Sequence, residues 1–190
     1  MRRFTPDELR TFLEAVDRHL SAEVTIIIIG GTAAALAYSV TTGTTDVDTF
    51  ESDLAAFDGA LTVARSETGL HVVFQRAAIG DMPWNYQHRL LRELPGLERL
   101  CVFVPERHDL VLSKVMRCHE GDLQCIEQIH RKHPLDRGLL IDRFVTEMSH
   151  AIGHPERILA NLLLCVERLF GEAVADQLES EVRGRRGSSP

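Results

Sequence analysis

The segment Val24-Thr25-Ile26-Ile27-Ile28-Ile29-Gly30-Gly31 constrains this chain more than any other. A β-branched run without polar alternation packs best as a strand covered on both faces, which puts it near the centre of a sheet. The double glycine ends that strand and lets the backbone turn sharply. Thr32 to Tyr38 follows, short and alanine-rich, so a helix starts directly on the turn. Its free amides and the positive end of its dipole face the strand end, where an anion such as a phosphate is held.

After a Thr/Gly loop from Val40 to Thr45, Asp46-Val47-Asp48-Thr49-Phe50 reads as a strand with alternating sides. Asp46 and Asp48 then leave the same face, about 6–7 Å apart. Two ionised carboxylates that close repel each other unless a cation joins them. Mg2+, or Mn2+ in its place, suits such a pair, because it takes hard oxygen ligands and keeps positions free for substrate phosphates. The glycines hold phosphate and the aspartates hold metal.

Around this unit, Thr5-Pro6-Asp7-Glu8 forms a capping box that opens a helix over about 6–20. A helix over about 52–61, a strand over about 70–75 and the strand Leu100 to Val104 complete the first half. From Asp109 the periodicity is helical, over about 109–119, 122–132, 135–150 and 155–183, the last broken near Gly171. The organisation expected is an α/β core over 1–106, a helical bundle over 107–183 packed on it, and a disordered tail over 184–190. The fold class is α+β.

Composition removes several classes. A net charge of −7 is the wrong sign for a broad nucleic-acid coat. The longest apolar run, Val24 to Leu36, is too short and too interrupted to span a bilayer, so no membrane contact is expected. No cleavable leader follows Met1-Arg2-Arg3, and Cys101, Cys118, Cys125 and Cys165 lack the spacing of a disulfide scaffold, which points to reduced thiols and a cytoplasmic location. The group Cys118, His119, Cys125, His130 and His133 fits no zinc-ligand spacing; Cys118 and Cys125, seven apart, are read as one buried helix face. Trp84, Tyr86 and Phe103 are too scattered for a stacking platform and read as packing residues. No P-loop and no dinucleotide fingerprint occurs. Only Lys114 and Lys132 are lysines among 21 basic residues, and Lys114 lies between apolar Val111, Leu112, Val115 and Met116.

The order of buried strand, Gly-Gly, short helix and Asp-x-Asp strand, written IIIIGGTAAALAYSV and TTGTTDVDTF, resembles the nucleotidyltransferase superfamily with the polymerase-β-like fold. Within it, the chain is similar to the AbiEii-like toxins and to the DUF6036 family. The resemblance continues through NYQHRLL at 85–91 and DLVLSKVMRCHEGDL at 109–123. It implies a polymerase-β-like sheet with flanking helices, and an enzyme that moves a nucleotidyl group from an NTP to an RNA, such as tRNA, or to a protein. It further implies that Gly30, Gly31 and Thr32 bind the triphosphate, that Asp46 and Asp48 hold the metal, that Lys114 reaches the phosphates, and that Arg117 and Asp122 complete the opposite wall. A toxin role beside a cognate antitoxin is implied by the same likeness. The sequence also departs from the family pattern: Thr42 stands for an arginine, Gly121 for a lysine, Cys125 for an acidic residue, and no third carboxylate is evident. These departures motivate an alternative, a catalytically degenerate relative that binds NTP or a partner protein.

Overall fold

The computed structural model describes residues 3–41, 45–50, 57–77 and 81–186, with side chains described as far as residue 182. Thr42, and positions 52–56 of the helix expected over about 52–61, lie outside the described residues.

Helix α1 (Pro6–His19) opens on the expected capping box. The Glu8 amide donates to Thr5 Oγ1 at 3.2 Å and the Thr5 amide donates to Glu8 Oε2 at 2.9 Å. Leu9, Phe12, Leu13 and Val16 form its buried stripe, packed against α3 (Asp58–Thr68). Near its end, buried Asp17 accepts the backbone N–H groups of Glu98, Arg99 and Leu100 at 3.1, 2.7 and 2.7 Å. Burial pushes the Asp17 carboxyl up, but these three donors hold it below its ordinary value, and they fix α1 to the start of strand β5 (Leu100–Val104).

Strand β1 (Val24–Ile28) pairs in parallel with β5 and antiparallel with β2 (Val47–Phe50). Strand β3 (Phe74–Arg76) runs parallel to β2, and β4 (Leu91–Glu93) antiparallel to β5, giving the order β3-β2-β1-β5-β4 among the described residues. The isoleucine run is therefore central, with Ile26, Ile27 and Ile28 all buried. Helix α2 (Gly30–Tyr38) presents Ala33, Ala34, Ala35 and Leu36 to the core. Small side chains there let it lie against α1, α5 (Glu120–Lys132) and α4 (Arg107–Arg117) at once. Helices α6 (Arg137–Glu147), α7 (Pro155–Phe170) and α8 (Glu172–Arg186) complete an α+β architecture, the class expected. No described helix is long and apolar enough to cross a membrane.

The details correct several expectations. Helix α3 lies later than 52–61, because Gly69 at φ +67 provides the left-handed residue that ends it. Strand β3 starts only at Phe74, since the Val72 carbonyl is taken by the Arg65 guanidinium, from Nε at 3.2 Å and Nη2 at 3.0 Å. Gly171 does break the last helix, and α8 runs to Arg186, past the residue 183 at which the helical region was expected to end. Cys118 does not share a helix face with Cys125: it sits in a left-handed conformation (φ 52) between α4 and α5. All four cysteines are free.

Candidate active site

Sheet register brings the two halves of the motif together. Ile28 pairs with Thr49, and the Ile29 amide donates to the Asp48 carbonyl at 2.9 Å, so the Gly30-Gly31 turn lies beside Asp48. Gly30 adopts φ +66, and a Cβ there would come within 3.2 Å of Asp48 Oδ2. Glycine is thus required twice, by the backbone angle and by the approaching carboxylate. Buried Thr32 donates its hydroxyl to the Asp46 carbonyl at 2.7 Å, bracing the first turn of α2 against the residue that precedes β2.

Val47 and Thr49 point into the core, while Asp48 and Phe50 face the other side. The Asp48 carboxyl is pushed above its ordinary value, first by burial and then by the negative charge of Asp46; Arg117 and Lys114 oppose the shift. Asp46 and Asp48 are therefore electrostatically coupled, as their spacing suggested. Gln75 enters from β3, directly opposite Asp48 in the register. Its amide donates to Asp46 Oδ2 at 2.5 Å, and Thr45 Oγ1 donates to Asp46 Oδ1 at 3.3 Å.

Helix α4 supplies the opposite wall. Lys114 and Asp122 are almost wholly buried, with Lys114 Nζ 3.6 Å from Asp122 Oδ1. The Arg117 guanidinium forks the same carboxylate, from Nε at 2.8 Å and Nη2 at 2.6 Å, while its side chain stays 64% exposed. Burial pushes the Asp122 carboxyl up, but Arg117 and Lys114 hold it below its ordinary value. Asp122 also accepts the His119 amide at 3.2 Å, so it caps α5 and orients two cations with one carboxylate. At the Cys125 position burial raises the thiol, next to Lys114, which leaves Asp122 as the carboxylate paired with that lysine.

A cleft of about 490 Å³ opens between these walls. Gly30, Gly31, Asp48, Lys114 and Arg117 line it, whereas Thr32, Asp46 and Asp122 stand outside its wall. Two lining residues carry no sequence signal: Asp81, whose Oδ1 accepts the Ile152 amide at 3.1 Å, and Arg157 from α7. Three cations, Lys114, Arg117 and Arg157, thus share one cleft with Asp48. Among the described residues no group of three or more His, Cys, Asp or Glu side chains is arranged to hold a metal ion, so Asp46 and Asp48 stand as a pair.

Helix α4 is held in register by buried charge. Asp109 is fully buried and accepts Arg89 Nε at 2.9 Å, Arg89 Nη2 at 3.1 Å and Arg143 Nη1 at 2.9 Å. Arg89 also donates to Glu147, at 2.7 and 3.2 Å, and Arg143 to Glu106 at 2.5 Å. His108 Nε2 accepts the Asp136 amide at 2.9 Å, so its Nδ1 carries the proton shared with Glu106 at 2.8 Å.

A family described as nucleotidyltransferase of unknown function (DUF6036) matches residues 7–166 of the chain. The chain belongs to this family. No curated protein and no solved structure matches it significantly. The DUF6036 match runs from α1 into α7, so it takes in both the sheet and the helices that face it across the cleft.

Proposed function

We propose that this DUF6036 protein binds an NTP with Mg2+ or Mn2+ in the cleft and transfers its nucleotidyl group to an acceptor hydroxyl or phosphate. The observation that carries this reading is the shared cleft of Asp48, its carboxyl pushed up by burial and by Asp46, with Lys114 and Arg117, and with the Gly-Gly turn beside Asp48. A half-buried pair of mutually repelling carboxylates fits a hard divalent cation, which when bound neutralises phosphate charge during transfer.

The chain's own residues divide the remaining work. Gly30 and Gly31 leave room for phosphate oxygens beside the α2 amides. Lys114 offers a compact charge to the β- and γ-phosphates, fixed by Asp122, and stabilises pyrophosphate as it leaves the α-phosphate. Arg117 and Arg157 widen that positive wall. Thr32 is a positioning residue, holding Asp46 relative to the turn. By family resemblance the acceptor is an RNA, such as tRNA, or a protein, and the biological setting is a cytoplasmic toxin paired with an antitoxin; this rests on analogy.

Isothermal titration with each NTP tests the binding half. Affinity is expected to depend on Mg2+, and Lys114→Ala is expected to weaken it by about tenfold or more, since a charge-assisted phosphate contact contributes about 1.5–3 kcal/mol. Equal affinity without metal and in Lys114→Ala contradicts the proposal. One observation favours the second reading, a degenerate NTP-binding or interaction module: Gln75, a neutral amide, sits on β3 opposite Asp48 and occupies Asp46. Metal-dependent binding without transfer is the outcome that reading predicts.

A further inference from the structure

The structure assigns Trp84, backed by His150, as a nucleobase-stacking contact at the mouth of the cleft. This rests on the reading of the cleft as a nucleotide site and adds what holds the base. Two chain segments meet there. The Ile152 amide is held by Asp81, the Trp84 amide donates to the Glu147 carbonyl at 3.1 Å, and Met82 and Ile152 both line the cleft. Trp84 follows Met82 by two residues, and His150 precedes Ile152 by two.

The expectation that Trp84 is a packing residue fails, because the side chain is 73% exposed. It is nonetheless fixed. Its backbone is tied to α6, and the His150 ring meets the indole edge-to-face with centroids 5.5 Å apart. One side of the indole is thereby supported, and a broad aromatic surface remains open to solvent. Ile152, 66% exposed and two residues after His150, lines the cleft.

Single exposed apolar residues need no explanation. Here the exposed indole lies two residues along the chain from Met82, which lines a cleft carrying Lys114, Arg117 and Arg157, and cations near an open aromatic are a combination that engages a nucleotide, phosphate on charge and base on ring. A net charge of −7 disfavours contact along a long strand. The base belongs either to the NTP itself or to the unpaired end of an acceptor strand.

Trp84 is the one tryptophan of the chain, so its fluorescence reports the site directly. The probes are Mg·ATP, Mg·UTP and single-stranded five-nucleotide oligo(A) and oligo(U) RNA, titrated into the full-length protein. Saturable quenching is expected: by the NTPs if the donor base stacks, by the oligonucleotides if the acceptor base does, and either result supports the site. Calorimetric affinity for the quenching ligand is expected to fall about tenfold in Trp84→Ala and to be retained in Trp84→Phe. The exposed position keeps both variants folded. Quenching that only rises linearly with every probe, or unchanged affinity in Trp84→Ala, overturns the assignment. Saturable quenching in a protein that transfers nothing leaves the stacking site standing and removes only the transferase reading. Transfer to a protein acceptor with KM values for NTP and acceptor unmoved by Trp84→Ala does the reverse.

Discussion

Asp48→Asn is expected to lower nucleotidyl transfer by about a hundredfold to a thousandfold or more, the scale seen when one electrostatic contact to the reacting centre is removed. The same variant is expected to make the metal-free protein more stable. Burial and the Asp46 charge raise the folded Asp48 carboxyl above its unfolded value. Folding therefore favours the protonated form, and the stability it contributes is complete below the unfolded value and lost as pH rises through the folded one. At neutral pH the carboxylate works against the fold, and asparagine relieves that strain. A gain of about 1 kcal/mol corresponds to about 2–4 °C in Tm for a chain of this size. Mg2+ is expected to raise the wild-type Tm and to leave Asp48→Asn unmoved. Gln75→Glu should show the opposite signs, less stable without metal and more strongly stabilised by it, because it adds a third carboxylate beside Asp46. Thermal melts across pH, with and without Mg2+, check all three; destabilisation by Asp48→Asn contradicts the account of the pair.

Asp109→Ala carries the largest expected effect on stability. Removing this fully buried carboxylate strands Arg89 and Arg143 with one acceptor each, Glu147 and Glu106. Breaking a buried pair in this way costs about 3–5 kcal/mol, since the remaining charge is left poorly compensated. A matching fall in the urea midpoint with an unchanged slope is the expected result. A loss under about 1 kcal/mol would show that the network is not what holds α4 in place. The acid limit of this network is set by Glu106: burial raises its carboxyl, but His108 and Arg143 draw it down to about 2. Its contribution is complete above the ordinary glutamate value and is lost only as pH falls from there toward about 2.

Local signals were readable in the sequence, and contacts set by pairing register were not. The Thr5 to Glu8 box, the isoleucine run, the double glycine and the break at Gly171 each act within a few residues, and each stands where the residues place it. The coupling of Asp46 with Asp48 followed from strand periodicity. Gln75 could not be read beforehand, because only the pairing of β2 with β3 sets it opposite Asp48. Strand β4 is a three-residue edge, with Leu91 exposed, and leaves no alternating pattern to detect. Arg157 reaches the cleft from a helix more than a hundred residues after Asp48, a placement decided by how α7 packs on α4. Asp122 accepts the His119 amide and pairs with Lys114 and Arg117, so its one carboxylate serves both α5 and two cations.

The central claim is transfer of the nucleotidyl group, and the most direct measurement follows its label. The protein is incubated with Mg2+ and each NTP carrying radiolabel at the α-phosphate or, separately, at the γ-phosphate, together with total RNA or cell lysate. The account predicts that α-label enters a macromolecular product, that γ-label appears only as pyrophosphate, and that Asp46→Ala and Asp48→Ala abolish both. Incorporation of γ-label, α-label transfer that survives both substitutions, or no transfer from any NTP to any acceptor fraction would contradict it.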